Sequence, residues 1–164
     1  MIFDRDGVLN VDHGYVGEVH RLEWIEGARA AIVRLNRAGI LVIVATNQSG
    51  VARGFFTLDD VEAVHARLQA DLAAQGGRID AFYACPFHPE ATIAQYRHPD
   101  HPDRKPNPGL FEKALRDFSL NPAEVVAVGD QPTDLEAARR CGVRGLAFPG
   151  GDLDQFLRAE LPGI

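Results

Sequence analysis

Apolar positions along the chain fall into two patterns, short continuous runs and runs spaced for one face of a helix. Ile40-Leu41-Val42-Ile43-Val44-Ala45 is continuous and of strand length, the pattern of a strand covered on both faces. It gives way to a polar loop, Thr46-Asn47-Gln48-Ser49-Gly50. Ahead of it, Ile25, Ala28, Ile32 and Leu35 recur at helical spacing, and Gly39 supplies a stop. Behind it, Thr57 with Asp60 resembles a capping box before Val61, Val64, Leu68 and Leu72, and Gly76-Gly77 closes that helix. Ala81 to Ala84, Val125 to Val128 and Gly145 to Phe148 read as further strands. Asn107 and Pro108 predict the N-cap and first residue of a helix carrying Phe111, Ala114, Leu115 and Phe118. Leu135, Ala138 and Cys141 belong to the next helix, stopped by Gly142, and Leu153, Phe156 and Leu157 to a short last one. Met1-Ile2-Phe3 is a first strand of only three residues, where about five or six are usual. Either that strand is short or the start given lies a few residues inside the natural one.

Strand and helix alternate throughout. The pattern predicts an α/β fold, a five-stranded, mainly parallel sheet with helices on both faces in three layers. Ligands of such sheets bind beyond the carboxyl ends of the strands. Asp4, Thr46, Cys85 and Asp130 all fall where a strand gives way to a loop, so they are expected at one edge. Residues 85 to 106 form a long proline- and histidine-rich loop with little periodicity, and loops of that length are uncommon unless functional.

Composition narrows the classes. A chain of 164 residues, 46% hydrophobic, suits one well-buried domain over 1 to 164 and is short for two. A net charge of −6 argues against a nucleic-acid or anionic-membrane partner, whose footprint is basic. With two cysteines, Cys85 and Cys141, a disulfide framework is not expected. No secretory signal fits ahead of Asp4, and the apolar run from Gly39 to Ala45 is too short for a bilayer span. The expectation is a cytoplasmic monomer.

The chemistry centres on Phe3-Asp4-Arg5-Asp6-Gly7-Val8-Leu9-Asn10. Where a strand breaks into a loop, two carboxylates two residues apart and the carbonyl between them can converge on a hard divalent cation. One carboxylate can then attack while the second moves a proton. A surface turn is the plain alternative, since Asp and Gly favour turns. Similar alternatives hold for Thr46-Asn47 as a turn, Lys105 as a solvated lysine, and Asp130 with Asp134 as helix-start carboxylates.

Taken together and in order, Asp4-x-Asp6-Gly7, Thr46-Asn47, Lys105-Pro106, and Gly129-Asp130 with Asp134 resemble the four motifs of the haloacid dehalogenase (HAD) superfamily, over nearly the whole chain. The resemblance implies a Rossmann-like HAD fold and a phosphatase, because an aspartate at Asp6 suits phosphoester hydrolysis. Asp4 would be the nucleophile that becomes an aspartyl-phosphate, and Asp6 the acid and base. Thr46 and Lys105 would hold phosphoryl oxygens. Mg²⁺ would be held by Asp4, Asp130 and the backbone carbonyl of Asp6, with Asp134 orienting Lys105 or the metal shell. The segments where relatives insert a cap are about twenty residues each, too short for a domain, so no cap is expected.

Within the superfamily, the loops resemble those of the D,D-heptose 1,7-bisphosphate phosphatases, with the histidinol-phosphate phosphatases as close relatives. The stretches concerned are Asp4 to Asn10, Asp12-His13-Gly14-Tyr15-Val16, Thr46 to Gly54, and Arg104-Lys105-Pro106-Asn107-Pro108-Gly109. That likeness implies a small phosphorylated sugar as substrate, here the 7-phosphate of a heptose 1,7-bisphosphate, with histidinol phosphate or a general sugar phosphate as the alternatives. Asp12, His13, Gly14, Tyr15, Asn47, Gln48 and Ser49 would line the pocket, and Arg104 would recognise the sugar or its second phosphate. The product would feed bacterial lipopolysaccharide or another glycan.

One departure stands out. Many such phosphatases bind a structural zinc in the long loop through Cys-x-His and a later Cys-x-Cys. Here Cys85 matches, but Phe87 replaces the histidine, and His101 and Asp103 replace the last two cysteines. A different set, Cys85, His88, His98 and His101, is the remaining zinc candidate and is not favoured. A loop stiffened by its prolines is the alternative. His20 and His65 have no partner in the pattern and are expected at the surface or in the core. A silent module that only holds a phosphorylated ligand is the opposing class, and the intact Asp4, Asp6, Lys105 and Asp130 speak against it.

Overall fold

β1 (Ile2–Phe3) occupies the middle of a wholly parallel sheet whose order is β3-β2-β1-β4-β5. The other strands are β2 (Ile43–Asn47), β3 (Ala81–Cys85), β4 (Val126–Gly129) and β5 (Arg144–Ala147). The computed structural model describes residues 1–164. Successive strand residues face opposite ways, and both faces are covered. Phe3, Val44 and Val128 pack with α1 (Ala28–Arg37), α3 (Leu58–Ala73) and α6 (Leu153–Glu160). Ile2, Ile43, Ala45 and Ala127 pack with α4 (Gly109–Asp117) and α5 (Pro132–Arg140). This two-sided burial is why the strands read as continuous apolar runs rather than alternating ones. Each fully buried large apolar side chain contributes about 1.5–3 kcal/mol.

The capping box forms as expected. Thr57 Oγ1 accepts from the Asp60 amide at 3.2 Å, and Asp60 Oδ2 accepts from the Thr57 amide at 2.7 Å. Elsewhere the boundaries move. β2 starts at Ile43 rather than Ile40, because the Ile40 amide closes the end of α1 on the Leu35 carbonyl at 2.9 Å. It also runs on through Thr46 and Asn47, which pair with Ala84 and Cys85 of β3. The expected loop at Ser49 instead contains a short helix, α2 (Ser49–Ala52). Asn107 is not the N-cap of α4, a position held by Pro108. Its side chain donates to the Asp100 carboxylate and the His101 carbonyl and accepts from Arg140, so it braces the preceding loop instead.

Two long connections cross the carboxyl edge of the sheet, one after β1 and one between β3 and α4. They meet over the ends of β1, β2 and β4. No helix is long and apolar enough to cross a membrane.

Candidate active site

A cavity of about 280 Å³ opens at that edge, with Asp4, Asp6, Lys105, Asp130 and Asp134 in its wall. Asp4 is placed there by its own amide, which donates to the Val128 carbonyl at 2.9 Å and so continues the sheet one residue past β1. Lys105 reaches the same point from the far loop, and its side chain is only 2% exposed. Its ammonium lies 2.9 Å from Asp4 Oδ1 and 2.7 Å from Asp134 Oδ1, and donates to the Ala45 carbonyl at 2.8 Å. Burial alone would lower the proton affinity of this amine. The Asp4 and Asp134 charges outweigh that effect and hold it above its ordinary value. Burial pushes the Asp4 carboxyl up, with Lys105 pulling back, and burial likewise raises Asp130. Asn47 anchors the lysine loop by a two-way pair, its amide donating to the Lys105 carbonyl and accepting from the Lys105 amide, both at 3.1 Å.

Three carboxylates, Asp4, Asp130 and Asp134, bring oxygens within 4.8 Å of one another. They are not equally free. Asp134 spends one oxygen on Lys105 and the other on the Gln131 amide at 3.0 Å, in the capping box of α5. Asp4 Oδ1 is paired with the Lys105 ammonium at 2.9 Å, whereas Asp130 Oδ1 is buried and accepts no hydrogen bond. Buried acceptors are rarely left open, and two converging carboxylate oxygens suit a hard divalent cation. The donor set therefore fits magnesium, with Asp4 and Asp130 as its side-chain ligands. Gly7 makes room for this approach. Its φ is +85°, and a Cβ there would lie 2.5 Å from Asp130 Oδ2.

Asp6 is held differently. Its Oδ1 accepts from Arg5 Nε at 3.2 Å, Arg5 Nη2 at 2.9 Å and Asn10 Nδ2 at 2.9 Å. Its Oδ2 accepts from Arg5 Nη2 at 3.0 Å and Gln48 Nε2 at 2.8 Å. Gln48 Nε2 also donates to Thr46 Oγ1 at 2.9 Å, and Arg5, wholly buried, donates to the Val16 carbonyl. The Asp6 side chain is thus tied to β2 and to the loop after β1. Both oxygens of its carboxylate are thereby engaged.

Comparison with known proteins agrees with this geometry. A HAD-hydrolase-like family model matches residues 103–159. The D-glycero-beta-D-manno-heptose-1,7-bisphosphate 7-phosphatase of Rhodopseudomonas palustris is 43% identical over 159 residues, 96% of this chain and 87% of that protein. That of Vibrio cholerae is 42% identical over 143 residues, 87% of this chain and 76% of that protein. The D,D-heptose 1,7-bisphosphate phosphatase of B. bronchiseptica, solved with magnesium and phosphate, superposes with a TM-score of 0.82 at 36% identity, covering 97% of this chain and 85% of that one. The chain belongs to the heptose-bisphosphate phosphatase family of HAD-type hydrolases. It is a phosphomonoester hydrolase.

Among the family's expected pocket residues, Asp12, Gly14, Tyr15, Asn47, Gln48 and Ser49 line the cavity beside Asp4, Asp6, Lys105 and Asp130. Thr46 is buried directly beneath it, joined through Gln48. His13 and Arg104 lie off the wall. His13 Nε2 sits 2.9 Å from Glu23 Oε2, and the residue is not among those lining the cavity, unlike its neighbours Asp12 and Gly14. Arg104 donates to the Phe87 carbonyl at 3.2 Å and has no carboxylate partner. Arg5, Gly50, Gln131 and Thr133 were not expected. Arg5 had a signal, its place between the two aspartates, but nothing in the chain marks an arginine for complete burial.

The zinc candidates do not assemble. Cys85, His88, His98 and His101 form no metal-ligand group. The Nδ1 atoms of His88, His98 and His101 accept from the amides of Glu90, Asp100 and Asp103. Phe87, standing where the family's histidine would be, stacks on the His101 ring at 3.8 Å and 4°. An aromatic stack and local turns hold this loop, and its donors do not fit a tetrahedral metal. His65 is a core residue, stacked on Phe82 at 4.3 Å, and burial lowers it to about 3.

Proposed function

We propose that this chain is a capless, Mg²⁺-dependent phosphatase that removes the 7-phosphate of D-glycero-D-manno-heptose 1,7-bisphosphate through an aspartyl-phosphate. The observation that carries the reading is the pairing of a buried Lys105 with Asp4 beside the unpartnered, buried Oδ1 of Asp130. The shared family and the substrate in the relatives' names support the sugar.

An Asp4 oxygen attacks phosphorus in line, the bond to the sugar oxygen breaks, and Asp6 gives its proton to the departing alkoxide. Asp6 then takes a proton from water, whose oxygen attacks the aspartyl-phosphate and returns Asp4 as a free carboxylate. Acid–base help of this kind is worth on the order of 10²–10⁴-fold. Lys105 and Thr46 donate to phosphoryl oxygens, and Asn47 and Asp134 keep Lys105 aimed. Asp4, Asp130 and the Asp6 carbonyl would hold magnesium, which would supply neutralisation of phosphoryl charge. Asp12, Gly14, Tyr15, Gln48 and Ser49 contact the sugar.

Phosphate release with Mg²⁺ from both heptose 1,7-bisphosphate anomers, fructose 1,6-bisphosphate and histidinol phosphate tests the reading. A kcat/KM for one heptose anomer at least about a hundredfold above the rest, about 2.7 kcal/mol in transition-state binding, is expected. The beta anomer is favoured by the names of the relatives. A preference for histidinol phosphate would keep the mechanism and replace the substrate.

A further inference from the structure

Behind the pocket lies a charge that packing alone does not explain. Arg5 stands in the chain between Asp4 and Asp6, which both line the cavity, while its own side chain is wholly buried and takes no part in the wall. A charge kept from water is costly, and an apolar side chain of similar volume often serves a fold as well. Arg5 also leaves Nη1 buried without an acceptor, which adds to that cost. Its one carboxylate partner is Asp6.

The contacts of Arg5 converge on that carboxylate. Its Nε and Nη2 both reach Asp6 Oδ1, and Nη2 also reaches Oδ2. The guanidinium is itself held by the Val16 carbonyl, in the loop after β1, and by Gln48 Oε1 at 3.2 Å, just beyond β2. Gln48 closes the ring, since its Nε2 donates to Asp6 Oδ2 at 2.8 Å and to Thr46 Oγ1 at 2.9 Å. In such a ring the Asp6 carboxylate cannot turn unless Arg5 and Gln48 turn with it. The planar fork of arginine fixes a direction as well as a charge, which a lysine at the same place would not. His65 adds no competing charge, because burial and then Arg5 lower it to about 3.

We propose that Arg5 is a positioning residue that aims the Asp6 carboxylate for its two proton transfers. This rests on the acid and base role given to Asp6 above. Arg5 touches no reacting atom and acts only through Asp6. Its effect is therefore selective. When the Asp4 oxygen bonds to phosphorus, a sugar oxygen departs with the electron pair of its bond and takes the Asp6 proton. A p-nitrophenolate departs without one, its charge being spread over the ring. In the second step water gives a proton to Asp6 whatever group left in the first.

The test is rapid-mixing kinetics, with Mg²⁺, on p-nitrophenyl phosphate and on the best sugar phosphate of the panel. Arg5→Met should slow release of the sugar about 10²-fold, while the first-turnover burst of p-nitrophenolate keeps its rate within about threefold. The steady state after that burst should slow, because the second step still needs Asp6. In an Asp6→Asn background, Arg5→Met should cost nothing further on the sugar phosphate. An equal loss in the burst and in sugar release, or a loss that adds to that of Asp6→Asn, overturns the proposal and leaves Arg5 a brace between Val16 and Gln48. Arg5→Lys keeps the charge without the fork, should show the same asymmetry in weaker form, and decides by the same ratio if Arg5→Met does not fold. Full sugar release by Asp6→Asn would defeat the acid and base role itself, and this proposal with it. A wild type that prefers another sugar phosphate to the heptose defeats only the choice of sugar, because neither comparison depends on which sugar leaves.

Discussion

At the reacting end of the pocket, charge is paired within the protein. Lys105 is buried between Asp4 and Asp134 and donates to a backbone carbonyl, and Asp6 is fixed by Arg5, Asn10 and Gln48. Off the cavity wall, Arg53 meets only the exposed Glu90 carboxylate at 4.0 Å, and Arg104 has no ion pair and donates to the Phe87 carbonyl at 3.2 Å. Groups that move electrons and protons must be pre-aimed, and a buried network aims them without reorganisation. The reacting end is therefore expected to govern both turnover and stability, and the two arginines off the wall to matter little for stability.

Four outcomes would break or sharpen this contrast. Asp4→Asn should lower kcat/KM for any substrate by about 10⁴-fold or more, because no other group in the pocket replaces the nucleophile. Phosphate release with Mg²⁺ measures it, and retained turnover would sink the assignment of Asp4. Lys105→Met should also destabilise the fold, by about 3–5 kcal/mol in urea unfolding, since it strands Asp4 and Asp134 as buried, unpaired carboxylates. Arg53→Met, at a side chain 30% exposed with only a 4.0 Å ion pair, should change stability by no more than about 0.5–1 kcal/mol. Comparable costs for the two would erase the contrast.

Magnesium should act on the reacting end with a definite pH sign. Asp4 is held above its usual value of 3.8, so the folded chain takes up that proton before the unfolded one does. As pH rises through this window the ionised carboxylate costs the metal-free fold stability, and a bound cation restores it. At a hundred times its Kd, Mg²⁺ should stabilise by about 2.7 kcal/mol near pH 7.5. The gain should shrink near about pH 5, where binding must displace the proton. Thermal melts with and without Mg²⁺ at both pH values read it, and an equal gain at both would contradict the raised Asp4.

A further acid-dependent effect belongs to His65, which stacks on Phe82 and is lowered to about 3 from 6.5 by burial. Its neutral form is buried, so its contribution is intact above pH 6.5 and is lost as pH falls toward 3, because only the unfolded chain gains the proton. From pH 6.5 to about 4.5 the loss should be on the order of 2 kcal/mol. His65→Phe should flatten that slope in urea midpoints, and an unchanged slope would place the acid sensitivity elsewhere.

Local pattern in the sequence determined a good deal. Two-sided burial made the strands continuous apolar runs, helical spacing marked the helix faces, and the Thr57–Asp60 pair announced its cap. That Asp4, Thr46 and Asp130 gather at one edge was legible because strand ends in a parallel sheet must converge, while Asp6 and Lys105 were legible through the motif resemblance. Tertiary structure alone decided matters that depend on segments far apart in the chain. Apolar continuity said nothing of where β2 meets its partners, so Thr46 and Asn47 emerged as strand residues. Asn107 is a fair N-cap by type, yet Asp100, His101 and Arg140 claimed its side chain. His13 went to Glu23, and Phe87 filled with a stacked ring the place of a lost zinc ligand. Arginines are surface residues by default, so no local signal could bury Arg5 or bring Arg53 beside Arg104. A residue's type fixes what it can do, and the partners that folding sets around it decide what it does.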